Sequence, residues 1–226
     1  MKKVINLTPE KNATRTVGEY FTKILTDIST DNFRQSYHNV TKEEWLDFDR
    51  IVDESVVFMF VRNPYDRLVS SFIHAVLSLD FSSSFPNWYF KLPIKKENQL
   101  ECFKNFCKDY STKVFENSHI ALQTSVLDIH IQGNIGLSKF SIIPYLENKK
   151  IFIGKVEDIK SEIKKLTSLM NDNMFNENVK DKLLEHIGNN TSLKFSASYQ
   201  HWYDDELYDM MTPVFKKELE ILDYGF

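Results

Sequence analysis

Only two cysteines, six glycines and six prolines occur in the 226 residues of this chain. So few cysteines exclude a disulfide framework, which fits a reducing compartment. Cys102 and Cys107 also lack partner residues at the spacing a metal site needs. Their spacing lets them share a helix face with Leu100, Phe103 and Phe106, where packing is the expected role. The scarcity of glycine and proline excludes repeats, linkers and disordered stretches. A formal net charge of −4 gives no general pull toward nucleic acid or anionic membrane. Any anion site must therefore be a local device. No long apolar stretch opens the chain, so neither signal peptide nor membrane anchor is expected, and a soluble, cytoplasmic protein is. Also missing is the Walker signature G-x-x-x-x-G-K-[ST]. The only Gly-Lys pair, Gly154-Lys155, is followed by Val156.

What is present reads as one α/β domain over residues 1–226, with a central, mainly parallel sheet flanked by helices. Lys3–Leu7 is an expected short strand, followed by a polar turn at Thr8–Arg15 and a helical stripe from Val17 to Ile28. Thr41-Lys42-Glu43-Glu44 is a capping-box pattern, continued through Trp45, Leu46, Phe48, Ile51 and Val52 as one helix. Ser55–Val61 is an uncharged run of β-branched and aromatic residues and is expected to be a buried strand. A loop-rich wall over Asp80–Glu97 and a helix over Asn98–Tyr110 follow. Lys150–Gly154 is a further strand, leading into a helix over Glu157–Met170. The C-terminal third is largely helical, with Pro213 expected to bend its last helix.

The most informative string is Phe60-Val61-Arg62-Asn63-Pro64-Tyr65-Asp66-Arg67-Leu68-Val69-Ser70. Asn63 can cap a helix and Pro64 suits its first turn, where a missing N–H costs nothing. Leu68, Val69, Phe72, Ile73, Val76 and Leu77 then recur at helical spacing. A strand running into a helix start aims backbone N–H groups and the positive dipole end at one spot. With the guanidinium of Arg62 and the hydroxyl of Ser70, that spot suits a terminal phosphate dianion. The string resembles the 3′-phosphate-binding motif of sulfotransferases that use 3′-phosphoadenosine 5′-phosphosulfate (PAPS). The resemblance implies that Arg62 and Ser70 hold the 3′-phosphate.

In a nucleotide-binding α/β fold the first strand–helix turn is the expected second cradle. Thr8-Pro9-Glu10-Lys11-Asn12-Ala13-Thr14-Arg15-Thr16 resembles the family's 5′-phosphosulfate loop, often P-K-x-[AG]-x-T-[ST]. Lys11, Ala13 and Thr16 match. Glu10 separates Pro9 from Lys11, and Arg15 stands where a small hydroxyl residue is usual. The resemblance implies a donor site made by Lys11, Asn12, Ala13, Thr14, Arg15 and Thr16, with Lys11 also serving catalysis.

Three more stretches resemble the Golgi-type carbohydrate branch of sulfotransferase family 2. They are His119–Thr124, Phe152–Ile159, and Tyr199–Leu207 together with Asp223–Phe226. They imply sulfuryl transfer to a hydroxyl, of a saccharide by this likeness, with PAPS as donor and its bisphosphate product PAP. Positioning and electrostatics dominate such a transfer, and no metal is expected. A base must take the acceptor proton. His38, in Ser36-Tyr37-His38-Asn39-Val40 just before the capped helix, stands where related 2-O-type enzymes place theirs, and His119 is the second candidate. His130, in Asp128-Ile129-His130-Ile131-Gln132, reads as part of an alternating segment. Two alternatives remain at this point. One is a kinase-like phosphotransferase, which would need a metal-holding carboxylate and a Walker lysine. The other is a non-catalytic nucleotide-binding module, which the irregular first loop allows.

Overall fold

Short apolar runs form the strands β1 (Val4–Asn6), β2 (Phe33–Arg34), β3 (Val56–Val61) and β4 (Phe152–Lys155). The computed structural model of the chain describes residues 3–9, 12, 14–24, 33–77, 98–112, 121–170 and 199–224, with backbone alone at 14–16, 23–24 and 74–77. The strands pair in the order β2-β1-β3-β4, and every pairing is parallel. The expected α/β architecture with a parallel sheet flanked by helices is therefore the one observed.

Alternation along β3 decides which helices cover which face. Val57, Met59 and Val61 point to a layer formed by α2 (Lys42–Leu46), α3 (Phe48–Glu54), α6 (Gln123–His130) and α7 (Ile143–Glu147). Phe58 and Phe60 point the other way, onto α1 (Thr14–Ile24) and α8 (Ile159–Ser168). A third cluster joins α4 (Pro64–Leu77), α5 (Gln99–Thr112) and α9 (Asp205–Ile221). Gly154 is demanded by close packing: a Cβ there would stand 2.7 Å from the buried ring of Phe60.

Several expectations are corrected. The helix expected across residues 41–52 breaks at Asp47 into α2 and α3, which turns Leu46 out to solvent. On α5 the buried stripe is Phe103, Phe106, Cys107 and Tyr110, spaced for one face. Leu100 lies outside it, and Cys102 is half-buried. A 3₁₀ turn, Val156–Asp158, separates β4 from α8. Pro213, expected to bend the last helix, lies inside α9, which continues on both sides of it. The expected wall at 80–97 lies outside the described residues.

Glu44 ties the segment between β2 and α2 to the start of β1. Its carboxylate takes Lys3 Nζ at 2.6 Å, Arg34 Nη2 at 3.0 Å and the Thr41 N–H at 2.9 Å. Burial alone would raise its pKa, but these bonds and the Arg34 charge bring it down to about 2 from an ordinary 4.5. A lowered carboxylate stabilises the fold above its unfolded pKa, and that contribution disappears as pH falls toward the folded value. Glu44→Gln is thus expected to lower unfolding free energy at pH 7 by roughly 2–3 kcal/mol. It should also flatten the acid limb between about pH 4.5 and pH 2. Denaturant melts at pH 7, 4 and 2.5 check this; parallel curves for variant and wild type would contradict it.

Candidate functional site

The strand order sets a crevice. From β1 the chain adds β2 on one side, then returns to add β3 and β4 on the other. In open parallel sheets ligands bind outside the carboxyl ends of the strands at such a reversal. Both stretches singled out in the sequence, the one beginning at Thr8 and Arg62-Asn63, follow strands, β1 and β3, that pair with each other.

The second turn is held by residues far away in sequence. Arg62 and Asn63 lie past the end of β3 and before the first helical residue, Pro64, so their backbone groups need other partners. Gln123 pairs with Arg62 on both sides: Nε2 donates to the Arg62 carbonyl at 2.8 Å, and Oε1 accepts its N–H at 2.8 Å. The Asn63 N–H donates to Glu157 Oε1 at 2.7 Å, while Asn63 Oδ1 caps the helix by accepting the Tyr65 N–H at 3.0 Å. Tyr224 Oη lies 3.0 Å from the Val61 carbonyl and 2.8 Å from Glu157 Oε2, donating to one at a time. Burial, and then the charge of Glu157, pushes this phenol's pKa up.

The guanidinium of Arg62 is 8% exposed, and its Nε donates to Asp66 Oδ2 at 2.6 Å. Among the described residues nothing bonds its two terminal nitrogens. Burial raises the pKa of Asp66, with Arg62 pulling it down and Glu157 adding to the rise. Asp66 and Ser70, four residues apart on α4, share one helix face, and Arg62, just before the helix, pairs with Asp66. Ser71 donates its hydroxyl to the Arg67 carbonyl at 2.9 Å, whereas Ser70 has no hydrogen-bond partner among the described residues. The result is a guanidinium fork oriented by a carboxylate, with a hydroxyl on the same face. Such a group can grip an oxyanion. Arg67, the other arginine of the string, is buried and donates to the Ala121 carbonyl at 2.6 Å. It faces Glu218, whose pKa burial raises. The charge of Arg67 and hydrogen bonds from Thr124 N–H and Gln123 pull that pKa back.

In the first turn Thr8 extends the pairing of β1 and β3 past the strand end. Its Oγ1 accepts the Phe60 N–H at 3.0 Å, and its own N–H donates to Asn6 Oδ1 at 2.9 Å. Asn12 is fully buried, and its Nδ2 donates to Gln123 Oε1 at 2.6 Å. Its Oδ1 is buried and has no hydrogen-bond partner among the described residues. Thr14, Arg15 and Thr16 open α1. Lys11, Ala13 and the side chains of Thr14, Arg15 and Thr16 lie outside the described residues.

His38 is exposed in a 3₁₀ turn, Tyr37–Asn39, that follows β2 and so lies at the same edge of the sheet. Its ring centroid is 4.0 Å from that of Tyr37 and 4.7 Å, edge-on, from that of His130. His130 does not stand on an alternating strand. It ends α6, where a π-helical turn, Ile131–Ile135, closes at Gly136 with φ +80°. That turn brings Asn134 Nδ2 within 3.0 Å of His130 Nδ1. His119 lies outside the described residues, as does the side chain of His74.

Asp66, Gln123, Glu157 and Tyr224 had no individual role in the sequence reading. Asp66 was findable, because four residues from Arg62 on a helix is ion-pair spacing. The others act across long separations that no local pattern reports. A cavity of about 1210 Å³ beside β4 and α9, lined in part by Lys149, Lys216 and Lys217, includes none of Asn12, His38, Arg62, Asp66, Ser70, Gln123 and Glu157. Among the described residues no group of three or more His, Cys, Asp or Glu side chains could hold a metal ion, and no helix is long and apolar enough to cross a membrane.

Comparison with protein-family models matches residues 10–225 to the Sulfotransferase family. Neither the curated proteins nor the solved structures provide a match.

The two arginines of the string make opposite predictions. Arg67→Ala leaves the carboxylate of Glu218 buried without its compensating charge, so unfolding free energy should fall by about 3–5 kcal/mol. Arg67→Met with Glu218→Met should recover most of that loss. Thermal and urea melts of both variants check this; an Arg67→Ala protein of wild-type stability would show that Arg67 faces a ligand instead.

Proposed function

This chain belongs to the sulfotransferase family, and we propose that it transfers a sulfuryl group from PAPS to a hydroxyl of a saccharide. The observation that carries the choice of donor is the Arg62 fork. Asp66 fixes Nε, both terminal nitrogens are without a bond among the described residues, and Ser70 shares the face. These residues fit a terminal phosphate, which is what separates PAPS from AMP or ATP. Bound there, PAPS supplies the sulfuryl group, whose S–O bond to the 5′-phosphate is replaced by one to the acceptor oxygen, leaving PAP.

The chain's own part is positioning and charge. Arg62 and Ser70 hold the 3′-phosphate end. Residues Lys11–Thr16 take the phosphosulfate end, with N–H groups at the start of α1 and the charge of Lys11 set against the departing oxygen. His38, at the carboxyl edge of the sheet, takes the proton of the acceptor hydroxyl, and the flanking rings of Tyr37 and His130 hold its imidazole. Likeness to the carbohydrate branch at residues 119–124, 152–159 and 199–226 supports the saccharide.

Adenosine 3′,5′-bisphosphate should bind ten- to a hundred-fold more tightly than AMP, because one charge-assisted contact is worth about 1.5–3 kcal/mol. Arg62→Ala should erase most of that preference. Calorimetry that finds equal binding of PAP and AMP by the wild type would remove the basis of the donor assignment.

His38→Ala should slow transfer at least about a hundred-fold while leaving PAP binding nearly intact. His38→Asn should be equally inactive, since an amide does not accept the proton at neutral pH. Parallel alanine variants of His119, His74 and His130 serve as controls. A dead His119→Ala beside an active His38→Ala would relocate the base.

A further inference from the structure

Gln123 is fully buried and touches both turns of the crevice at once. Its Oε1 accepts from Asn12 Nδ2 at 2.6 Å and from the Arg62 N–H at 2.8 Å, and its Nε2 donates to the Arg62 carbonyl at 2.8 Å. The orientation of both amides follows from what their neighbours can do. A backbone N–H only donates, so the atom of Gln123 facing it is the oxygen, and the atom of Asn12 facing that oxygen must be the nitrogen. Three hydrogen bonds hold this amide, two of them to the backbone of Arg62, and it has little freedom to rotate.

Asn12 is treated differently. In reaching Gln123 it leaves its own Oδ1 buried without a hydrogen-bond partner among the described residues. Buried acceptors are normally satisfied, so this arrangement is not the one that suits Asn12 best. It is the one that ties the first turn to the second. The tie also has a fixed base, because Gln123 is the first residue of α6, and α6 packs through Val126 and Leu127 against the sheet face of Val57 and Met59.

We infer that Gln123 is a positioning residue that locks the two ends of the donor site at one separation, so that the 3′- and 5′-phosphates of the nucleotide bind as a coupled pair. This rests on the PAPS reading above. In an untied crevice each phosphate would order only its own turn and contribute independently. With the tie in place, ordering one turn through Asn12 or Arg62 also orders the other, and the second phosphate binds to a site already formed.

The test measures binding of adenosine, 5′-AMP, 3′-AMP and adenosine 3′,5′-bisphosphate by calorimetry, with competition for the weak ligands. The 3′-phosphate should improve affinity at least about fivefold more when the 5′-phosphate is present than when it is absent. Asn12→Ala cuts the tie and keeps both bonds from Gln123 to Arg62; because Asn12 lies in the stretch assigned to the phosphosulfate end it should also weaken 5′-phosphate binding, but the ratio should still fall close to one. Gln123→Met should do the same; because it also removes a partner of Glu218, Asn12→Ala is decisive if Gln123→Met does not fold. A merely structural role would lower stability and weaken all four ligands alike, leaving the ratio at its wild-type value. That result, or a wild-type ratio near one despite a clear preference for the bisphosphate, overturns the inference alone. A wild type with no preference for the bisphosphate over 5′-AMP overturns the donor assignment and this inference with it.

Discussion

Past the last strand residue, Val61, the chain runs through Arg62 and Asn63 before the helix begins, and the Val61 carbonyl, both backbone groups of Arg62 and the Asn63 N–H take partners from elsewhere. Gln123, Glu157 and Tyr224 supply them. Each comes from a different part of the chain, and each is the anchored end of a larger unit: α6, the 3₁₀ turn after β4, and the segment after α9. Satisfying one short stretch of backbone thus brings the C-terminal half of the chain around the end of β3. It also makes the turn rigid, which a site that holds an anion by a single arginine requires.

Charge is distributed on the same logic. The chain carries a net negative charge, so cations at the crevice are local. Arg67 and Glu218 are both buried and serve to join α4, α9 and the segment around Ala121. Arg62 and Asp66 are buried almost as deeply, yet this pair leaves the end of the guanidinium unbonded among the described residues. Two arginines five residues apart on one string therefore differ by position: Arg62 precedes α4 and pairs with Asp66, whereas Arg67 lies within α4 and is turned to the Ala121 carbonyl and Glu218. Ser70 lies on the helix face that Asp66 occupies.

Local patterns were legible in the sequence. The uncharged run before Arg62, the cap at Asn63, the proline at the first helical position and the capping box at Thr41 each concern residues within four positions of one another, and each is found. The parallel α/β class followed from strands alternating with helices. What was not legible depends on distance or on competition between neighbours. Asp47 divides a stripe that looks continuous: it ends α2 and begins α3, with Trp45 and Phe48 buried on either side of it and Leu46 exposed. His130 stands in an alternating string but is helical, since α6 packs Val126, Leu127 and Ile131 on the sheet. The tie from Asn12 through Gln123 to Arg62 reaches across 111 positions, and nothing in the spacing of those residues reports it. Lys11 and His119 lie outside the described residues.

The most direct test of the account is a crystal structure of the wild-type chain with adenosine 3′,5′-bisphosphate. The account predicts the 3′-phosphate on the terminal nitrogens of Arg62 and on Ser70 Oγ, with Asp66 still holding Nε and Gln123 still bonded to both Asn12 and Arg62. The 5′-phosphate should lie at the start of α1. A bisphosphate bound away from Arg62, or one whose binding swings Gln123 off the Arg62 backbone, would contradict it.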